Sequence, residues 1–185
     1  YPKNRKPLLA FGGAVYDQVK YSGDMINNES QLALLDKKFR QFPIRGASLR
    51  GTYGSLGLLE WSNLPGTLTE VNQISEIIPD SKVITGSNVT ESQIKRMSEN
   101  GDLAKYKVIH IATHGVTVPQ IPELSAIVLS QFNAESNEDG YLRMGEIAKL
   151  KLQADFVNLS ACETGLGKIY SGEGVVGLIH SFLIS

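Results

Sequence analysis

The feature that most constrains this chain is an apolar run that leads directly into its only cysteine and then into a glycine turn. Residues 155–165 read DFVNLSACETG, a short strand pattern that ends at Cys162. Residues 106–115 read YKVIHIATHG and end in the same way, at His114 and Gly115. A strand that ends like this holds its last residues at the edge of a sheet. We therefore predict that the two strand ends meet in space.

Apolar strand patterns alternate with helical patterns along much of the chain. Besides the two strands above, strands are predicted at residues 7–13, 82–86 and 126–130, and helices at 31–40, 67–78, 88–101 and 141–150. Parallel strands need crossover connections, which are usually helical. The alternation therefore predicts an α/β fold, with a mainly parallel sheet and helices on both faces.

Three finer predictions concern local structure. Residues 18–63 are predicted to be a long loop or insertion around the helix at 31–40, because residues 46–57 are rich in Gly and Ser. Thr67 or Thr69 is predicted to cap the helix that follows residue 66. Thr90, with Gln93 three residues later, has the spacing of a capping box.

Composition argues against several classes of partner. The 18 basic and 19 acidic residues give a formal charge of −1, which does not favour nucleic acid or an anionic membrane. No run approaches the roughly 18 apolar residues that read as a membrane span. With 42% hydrophobic residues, the chain can bury the core of one domain over residues 1–185.

Both ends look cut. Tyr1 and Pro2 are an unusual start for a translated chain, and residues 175–185 stop inside an apolar helical pattern that has no cap. We expect a piece of a longer protein, with its domain truncated at the C-terminal end.

The chemistry predicted for the two strand ends is that of a thiol and a base. A single cysteine cannot form an internal disulfide, and the cytoplasm, where we expect the protein, would keep it reduced. His114 would take the proton of Cys162, and the backbone N–H groups of Gly115 and Cys162 could form an oxyanion hole. The alternative is a buried cysteine with a purely structural role.

A metal site and a phosphate-binding site have weaker support in the sequence. His110 and His114 lie four residues apart on one face, as two metal ligands could. The apolar pattern instead makes His110 a buried, hydrogen-bonded residue, and nearby ligands for zinc are lacking. Residues 165–168, GLGK, lack the spacing of a phosphate-binding loop, and His180 is expected to be structural. We therefore expect no metal and no cofactor.

Three segments carry a resemblance to a known family: HIATHG at residues 110–115, NLSACETG at 158–165 and GEGVVGL at 172–178. They resemble the signature blocks of CHAT domains, caspase-like cysteine peptidases related to separase, and residues 8–13 and 64–71 fit the same pattern. The separation of His114 and Cys162 also matches the caspase spacing of about 50 residues. Gly13 departs from the pattern, because many members have Asp there.

The resemblance implies a caspase-like three-layer sandwich with His114 and Cys162 as the catalytic pair. It implies a cysteine endopeptidase that cuts specific protein substrates in regulated signalling or defence, partnered by helical repeats of the same protein or by an activating complex. Ser160 resembles the caspase position that lines the S1 pocket. Asp17 could reach that pocket, although a solvated loop residue is the alternative. An inactive scaffold that binds protein partners is the alternative function.

Overall fold

A computed structural model describes residues 4–16, 22–41, 47–131, 138–163 and 181–185, with the backbone alone at residues 47, 48, 162 and 163. In these ranges the strands are β1 (Lys6–Gly12), β2 (Lys82–Thr85), β3 (Tyr106–Val116), β4 (Ala126–Val128), β5 (Tyr141–Arg143) and β6 (Phe156–Glu163). The helices are α1 (Glu29–Gln41), α2 (Ala47–Ser55), α3 (Pro65–Ile77), α4 (Glu91–Glu99) and α5 (Met144–Ile147). Short 3₁₀ turns occupy Gly86–Asn88, Leu103–Lys105 and Pro122–Leu124.

The described strands form one six-stranded mixed sheet around β3. The pairs β1–β2, β1–β3 and β3–β6 are parallel, and β3–β4 and β4–β5 are antiparallel. β1 pairs with residues 106–111 of β3 and β6 pairs with residues 108–115. Because these stretches overlap, β1 and β6 lie on opposite edges of β3. After β1 ends, β4 continues along the same edge of β3. The prediction of an α/β fold with a mainly parallel sheet is confirmed.

Helices cover both faces of the sheet. Alternate residues of β1 join two different apolar clusters, with Leu8 and Ala10 in one and Leu9 and Phe11 in the other. The first cluster contains Val71 of α3, whereas the second contains side chains of α2 and α4, namely Leu49, Tyr53, Ile94 and Met97. This sandwich arrangement is consistent with the caspase-like architecture.

The prediction of a loop at residues 46–57 was wrong, because α2 spans most of that segment. Its side chain Tyr53 is fully buried, stacks on Tyr141 at 3.8 Å between ring centroids and donates a hydrogen bond to the Leu124 carbonyl at 2.8 Å. Burial of this aromatic side chain outweighs the low helix propensity of the glycines. The described part of region 18–63 therefore contains two helices, and α1 confirms the helix predicted at residues 31–40.

The helix predicted at residues 141–150 was also wrong in its first turn. Tyr141 and Leu142 belong to β5, where they pair with Val128 and Ile127 of β4. Only Met144–Ile147 is α-helical. Both strand residues are completely buried, and a short apolar run of this kind fits a strand or a helix equally well until its partners are known.

One predicted cap is confirmed and the other is wrong. Thr90 is the N-cap of α4, and its hydroxyl accepts from the Gln93 backbone N–H at 3.1 Å. The helix α3 begins at Pro65, after an N-cap residue with no side-chain cap. Thr67 instead joins α3 to the end of β1, because its hydroxyl accepts from the Gly13 N–H at 2.9 Å.

None of the helices described here has the length and apolarity to cross a membrane.

Candidate active site

The strand ends that carry His114 and Cys162 lie side by side. Near the C-terminal end of β3, His114 pairs with Val128 of β4 on one edge and with Cys162 of β6 on the other. Neighbouring strands lie about 4.8 Å apart, so positions 114 and 162 are close enough for direct contact. The prediction that the two strand ends meet is confirmed, while the chemical roles of the two residues stay predictions.

The imidazole of His114 is buried and fixed in one orientation. Its ring lies 5.0 Å, between centroids, from both Tyr16 and Trp61, and only 4% of the residue is exposed. Nε2 lies 2.8 Å from the backbone carbonyl oxygen of Ser62. Because a carbonyl only accepts, Nε2 carries a hydrogen, and in the neutral ring the lone pair is then on Nδ1. No atom of the described residues pairs with Nδ1. The ring therefore has the tautomer of a base that accepts a proton at Nδ1.

Tyr16 supports the His114 backbone from the end of β1. Its hydroxyl lies 2.7 Å from the hydroxyl of Thr113, accepts from the His114 N–H at 3.4 Å and donates to the Val128 carbonyl at 3.2 Å. Burial raises the pKa of Tyr16 above its ordinary value, although the contacts with Thr113 and His114 oppose this shift. The phenol therefore stays neutral and hydrogen-bonded at physiological pH.

Trp61 fixes the segment that supplies the Ser62 carbonyl. Its indole N–H donates to the Leu58 carbonyl at 3.1 Å and to the Tyr141 hydroxyl at 2.9 Å. The Tyr141 hydroxyl in turn donates to Leu58 O. Burial raises the pKa of Tyr141 to about 12, against the opposing effect of the Trp61 hydrogen bond. These contacts hold Trp61 in the core and so position the adjacent Ser62 carbonyl for His114.

A polar cluster of Glu70, His110, Asn158 and Ser160 lies on β3, β6 and α3. The Asn158 amide contacts His110 Nδ1 at 2.9 Å, and His110 Nε2 lies 3.0 Å from Oε1 of Glu70, outside good hydrogen-bond geometry. The Ser160 hydroxyl donates to Oε2 of Glu70 at 3.2 Å. The prediction that His110 is buried and hydrogen-bonded is confirmed, and the place of Ser160 in a specificity pocket stays a prediction.

Of the remaining predicted site residues, the structure describes Gly115 but not Asp17 or His180. Gly115 lies inside β3, paired with Ile127 and Glu163, and a Cβ there would lie 3.3 Å from that of Ala161. Close strand packing thus explains this glycine, and its oxyanion role stays a prediction. Asp17, His180, the GLGK segment at 165–168 and the third signature block at 172–178 lie outside the described residues.

The CHAT domain family model matches residues 3–185. The chain belongs to the CHAT domain family. CHAT is a caspase-like domain related to cysteine peptidases, so this membership agrees with the resemblance of the HIATHG and NLSACETG segments. A comparison with curated proteins finds no match.

Sequence reasoning missed several residues of this CHAT domain site. Tyr16, Trp61 and Ser62 reach His114 from segments far away in sequence, and no local pattern indicates such contacts. Asn158 could have been found, because it precedes Cys162 by the same interval as His110 precedes His114. Equal intervals on paired parallel strands place the two polar residues opposite each other.

One carboxylate cluster in the described part of the CHAT domain has the spacing of a cation site. Oxygens of Glu91, Glu138 and Glu146 lie within 4.8 Å of one another. The Lys95 ammonium already occupies their centre, at 2.7, 2.8 and 2.7 Å from the three carboxylates. The Lys95 ammonium therefore fills the position that a bound cation would take, and we assign no metal to the cluster.

Burial raises the pKa of Glu91 to about 9, helped by Glu138 and Glu146 and opposed by Lys95. The folded protein then keeps a proton that the unfolded chain releases above the ordinary value of 4.5. We expect the free energy of unfolding to fall as pH rises from about 5 to about 9. Glu91→Gln resembles the protonated form and should flatten this dependence, as measured by urea unfolding across that range.

Asp102→Asn is the control for this prediction, because the pKa of the exposed Asp102 is lowered by its hydrogen bond to Lys105 and its titration falls below the range. It should keep the wild-type slope. An equal slope in wild type and Glu91→Gln would show that Glu91 does not hold the proton.

Proposed function

We propose that this CHAT domain is a cysteine endopeptidase that cuts specific protein substrates through His114 and Cys162. The observation that supports it best is the register of β3 and β6, which puts Cys162 directly beside His114. The Nδ1 atom of this buried, oriented imidazole, which has no partner within the part of the chain that the structure describes, adds to it. A nucleophile, an adjacent base and a third group that orients the base are the parts of an activated nucleophile.

In the proposed mechanism, His114 Nδ1 takes the proton of the Cys162 thiol. The thiolate attacks the scissile carbonyl carbon and forms a C–S bond and an oxyanion. The imidazolium then gives its proton to the leaving amine as the C–N bond breaks, which leaves an acyl-enzyme. Water loses a proton to Nδ1 and attacks the thioester carbonyl. The C–S bond then breaks, and the imidazolium returns its proton to the departing thiolate, which releases the acid and the thiol. The Ser62 carbonyl accepts from Nε2–H throughout and stabilises the charged ring.

We assign the oxyanion to the backbone N–H groups of Gly115 and Cys162. Ser160 and Asp17 are the proposed walls of the S1 pocket. Loss of one oxyanion donor typically lowers turnover by a factor on the order of 10² to 10³.

The proposed substrate is a protein, and the proposed setting is regulated cleavage in the cytoplasm. A reducing compartment keeps the single thiol ready for chemistry. Helical repeats of the same protein or a separate activating complex would deliver the substrate.

An inactive scaffold that binds protein partners is the second candidate. Membership of the CHAT family supports it, because a peptidase-related fold does not require that each member is an active peptidase. Against it stands the buried Nδ1. Among the described residues this atom has no partner, and burying an unpaired polar atom costs about 1–3 kcal/mol, from which a scaffold gains nothing.

The test uses the single cysteine. The rate of Cys162 alkylation by iodoacetamide is measured from pH 5 to 10 in the wild type, His114→Ala and His114→Gln. In the wild type we expect the rate to rise well below the ordinary thiol pKa of about 8.5, and in both variants near it. Glutamine can still donate to Ser62 but cannot act as the base, so it separates chemistry from packing. Three identical profiles near 8.5 would contradict the activated pair and favour the scaffold.

A further inference from the structure

The catalytic pair of the proposed function depends on the register of two separate strands. A slip of one residue between β3 and β6 would bring Ala161 or Glu163 beside His114, and it would move the apolar residues Val157 and Leu159 of β6 to the wrong face. Burial therefore opposes a one-residue slip.

A slip of two residues is different, because it preserves the alternation of faces. Such a slip could place Ser160 beside His114 while Val157 and Leu159 still faced their apolar cluster. Hydrophobic burial barely distinguishes this arrangement from the correct one. Another interaction has to select the register that puts Cys162 at this position.

The polar cluster of Glu70, His110, Asn158 and Ser160 has the geometry to make this selection. His110 pairs with Asn158 in the strand register, and their side chains contact each other at 2.9 Å. Glu70 reaches both strands from α3, with one oxygen 3.0 Å from His110 and the other 3.2 Å from the Ser160 hydroxyl. A two-residue slip would break the His110–Asn158 and Glu70–Ser160 contacts.

The surroundings of the cluster show that packing does not require it. The same sheet face and α3 otherwise meet through the apolar residues Leu8, Ala10, Val71, Val108 and Ala112. Replacing buried ion pairs with apolar residues of similar size is often neutral or stabilising, whereas specifying register is the best-attested use of buried polar groups. His110, with only 4% of its surface exposed, interrupts the apolar face four residues before His114.

We infer that Glu70, His110, Asn158 and Ser160 form a register lock, which holds β6 on β3 so that Cys162 lies beside His114. In this role the four residues are positioning residues, which act on catalysis through the register of β6. The consequence for catalysis rests on the proposed function, whereas the register itself can be measured without any peptidase activity.

The experiment uses the rate of disulfide formation to measure how often β3 and β6 adopt the correct register. In His114→Cys the protein has two cysteines, at paired positions whose Cα spacing in a sheet falls inside the 4.4–6.8 Å range that a disulfide needs. The rate of disulfide formation under a fixed glutathione ratio is measured in this background, with and without His110→Leu and Asn158→Leu. We expect the paired leucines to slow it about tenfold, which corresponds to about 1.4 kcal/mol.

Two controls define the measurement. Val108→Ala lies on the same strand face and weakens packing without touching the cluster, so it should leave the disulfide rate unchanged. Thr113→Cys, in place of His114→Cys, puts the second thiol on the opposite face of β3, so no disulfide should form with Cys162. If the double leucine variant does not fold, Glu70→Leu on the partly exposed face of α3 is the milder test, with the same expected direction.

Equal disulfide rates with and without the cluster, in folded proteins, would overturn the register lock. The second readout keeps it distinct from the proposed function: with His114 in place, the leucine pair should also slow Cys162 alkylation at pH 7. If wild-type Cys162 behaves as an ordinary thiol while the disulfide rate still depends on the cluster, the peptidase proposal fails and the register lock stands.

Discussion

Replacing His114 with glutamine is expected to lower peptide hydrolysis by a factor on the order of 10² to 10⁴, the usual contribution of a general acid–base residue. Glutamine can donate to the Ser62 carbonyl as Nε2 does now, so the ring pocket between Tyr16 and Trp61 stays filled. What is lost is the atom that accepts the thiol proton and returns it to the leaving amine. The effect should therefore fall on the rate of acylation rather than on folding.

The substrate need not be known for this measurement. A library of synthetic peptides is incubated with the protein, and new termini are counted by mass spectrometry over time. Cys162→Ser provides the background rate, and the surface variant Asp102→Asn should cleave as the wild type does. Cleavage by His114→Gln at the wild-type rate would exclude His114 as the base. Cleavage by neither wild type nor variant, together with an ordinary Cys162 thiol, would favour the scaffold.

The parts of the fold that could be predicted from sequence are those with strong local patterns. The strands that end near His114 and Cys162 are long apolar runs, and their boundaries match β3 and β6 closely. The helix at Ala47–Ser55 was missed because its stability comes from the burial of Tyr53 against Tyr141, far away in sequence. The short β5 was missed because only its pairing with β4 distinguishes it from a helical turn.

In the candidate active site, too, contacts between residues far apart in sequence could not be predicted. Reactive residue types at strand ends indicated His114 and Cys162, because few other roles explain them together. Ser62 contributes a backbone carbonyl, so the identity of its side chain carries no signal at all. The Glu70 carboxylate is one of many acids on helices, and only the structure shows that it contacts both β3 and β6. The positions of reactive side chains at strand ends could be predicted, whereas contacts made by the backbone or across distant segments could not.

Trp61 links the stability of the domain to the order of the site. Its indole packs against His114 and is hydrogen-bonded at both Leu58 and Tyr141. Trp61→Ala is expected to cost about 3–5 kcal/mol in the free energy of unfolding, the usual range for a buried aromatic residue. It also removes one side of the His114 pocket and releases the Ser62 carbonyl, so Cys162 alkylation at pH 7 should slow even where the protein remains folded.

Trp61→Phe separates the two effects. Phenylalanine keeps a ring against His114 and loses only the N–H donor, at a cost of about 1 kcal/mol, because the Tyr141 hydroxyl still bonds to Leu58 O. Urea unfolding and Cys162 alkylation are measured on both variants beside Leu34→Ala, an exposed position on α1. If Trp61→Ala unfolds no more easily than Leu34→Ala, the indole does not support the core. If it is destabilised but keeps wild-type thiol reactivity, the orientation of His114 comes from Tyr16 and the β3 backbone instead.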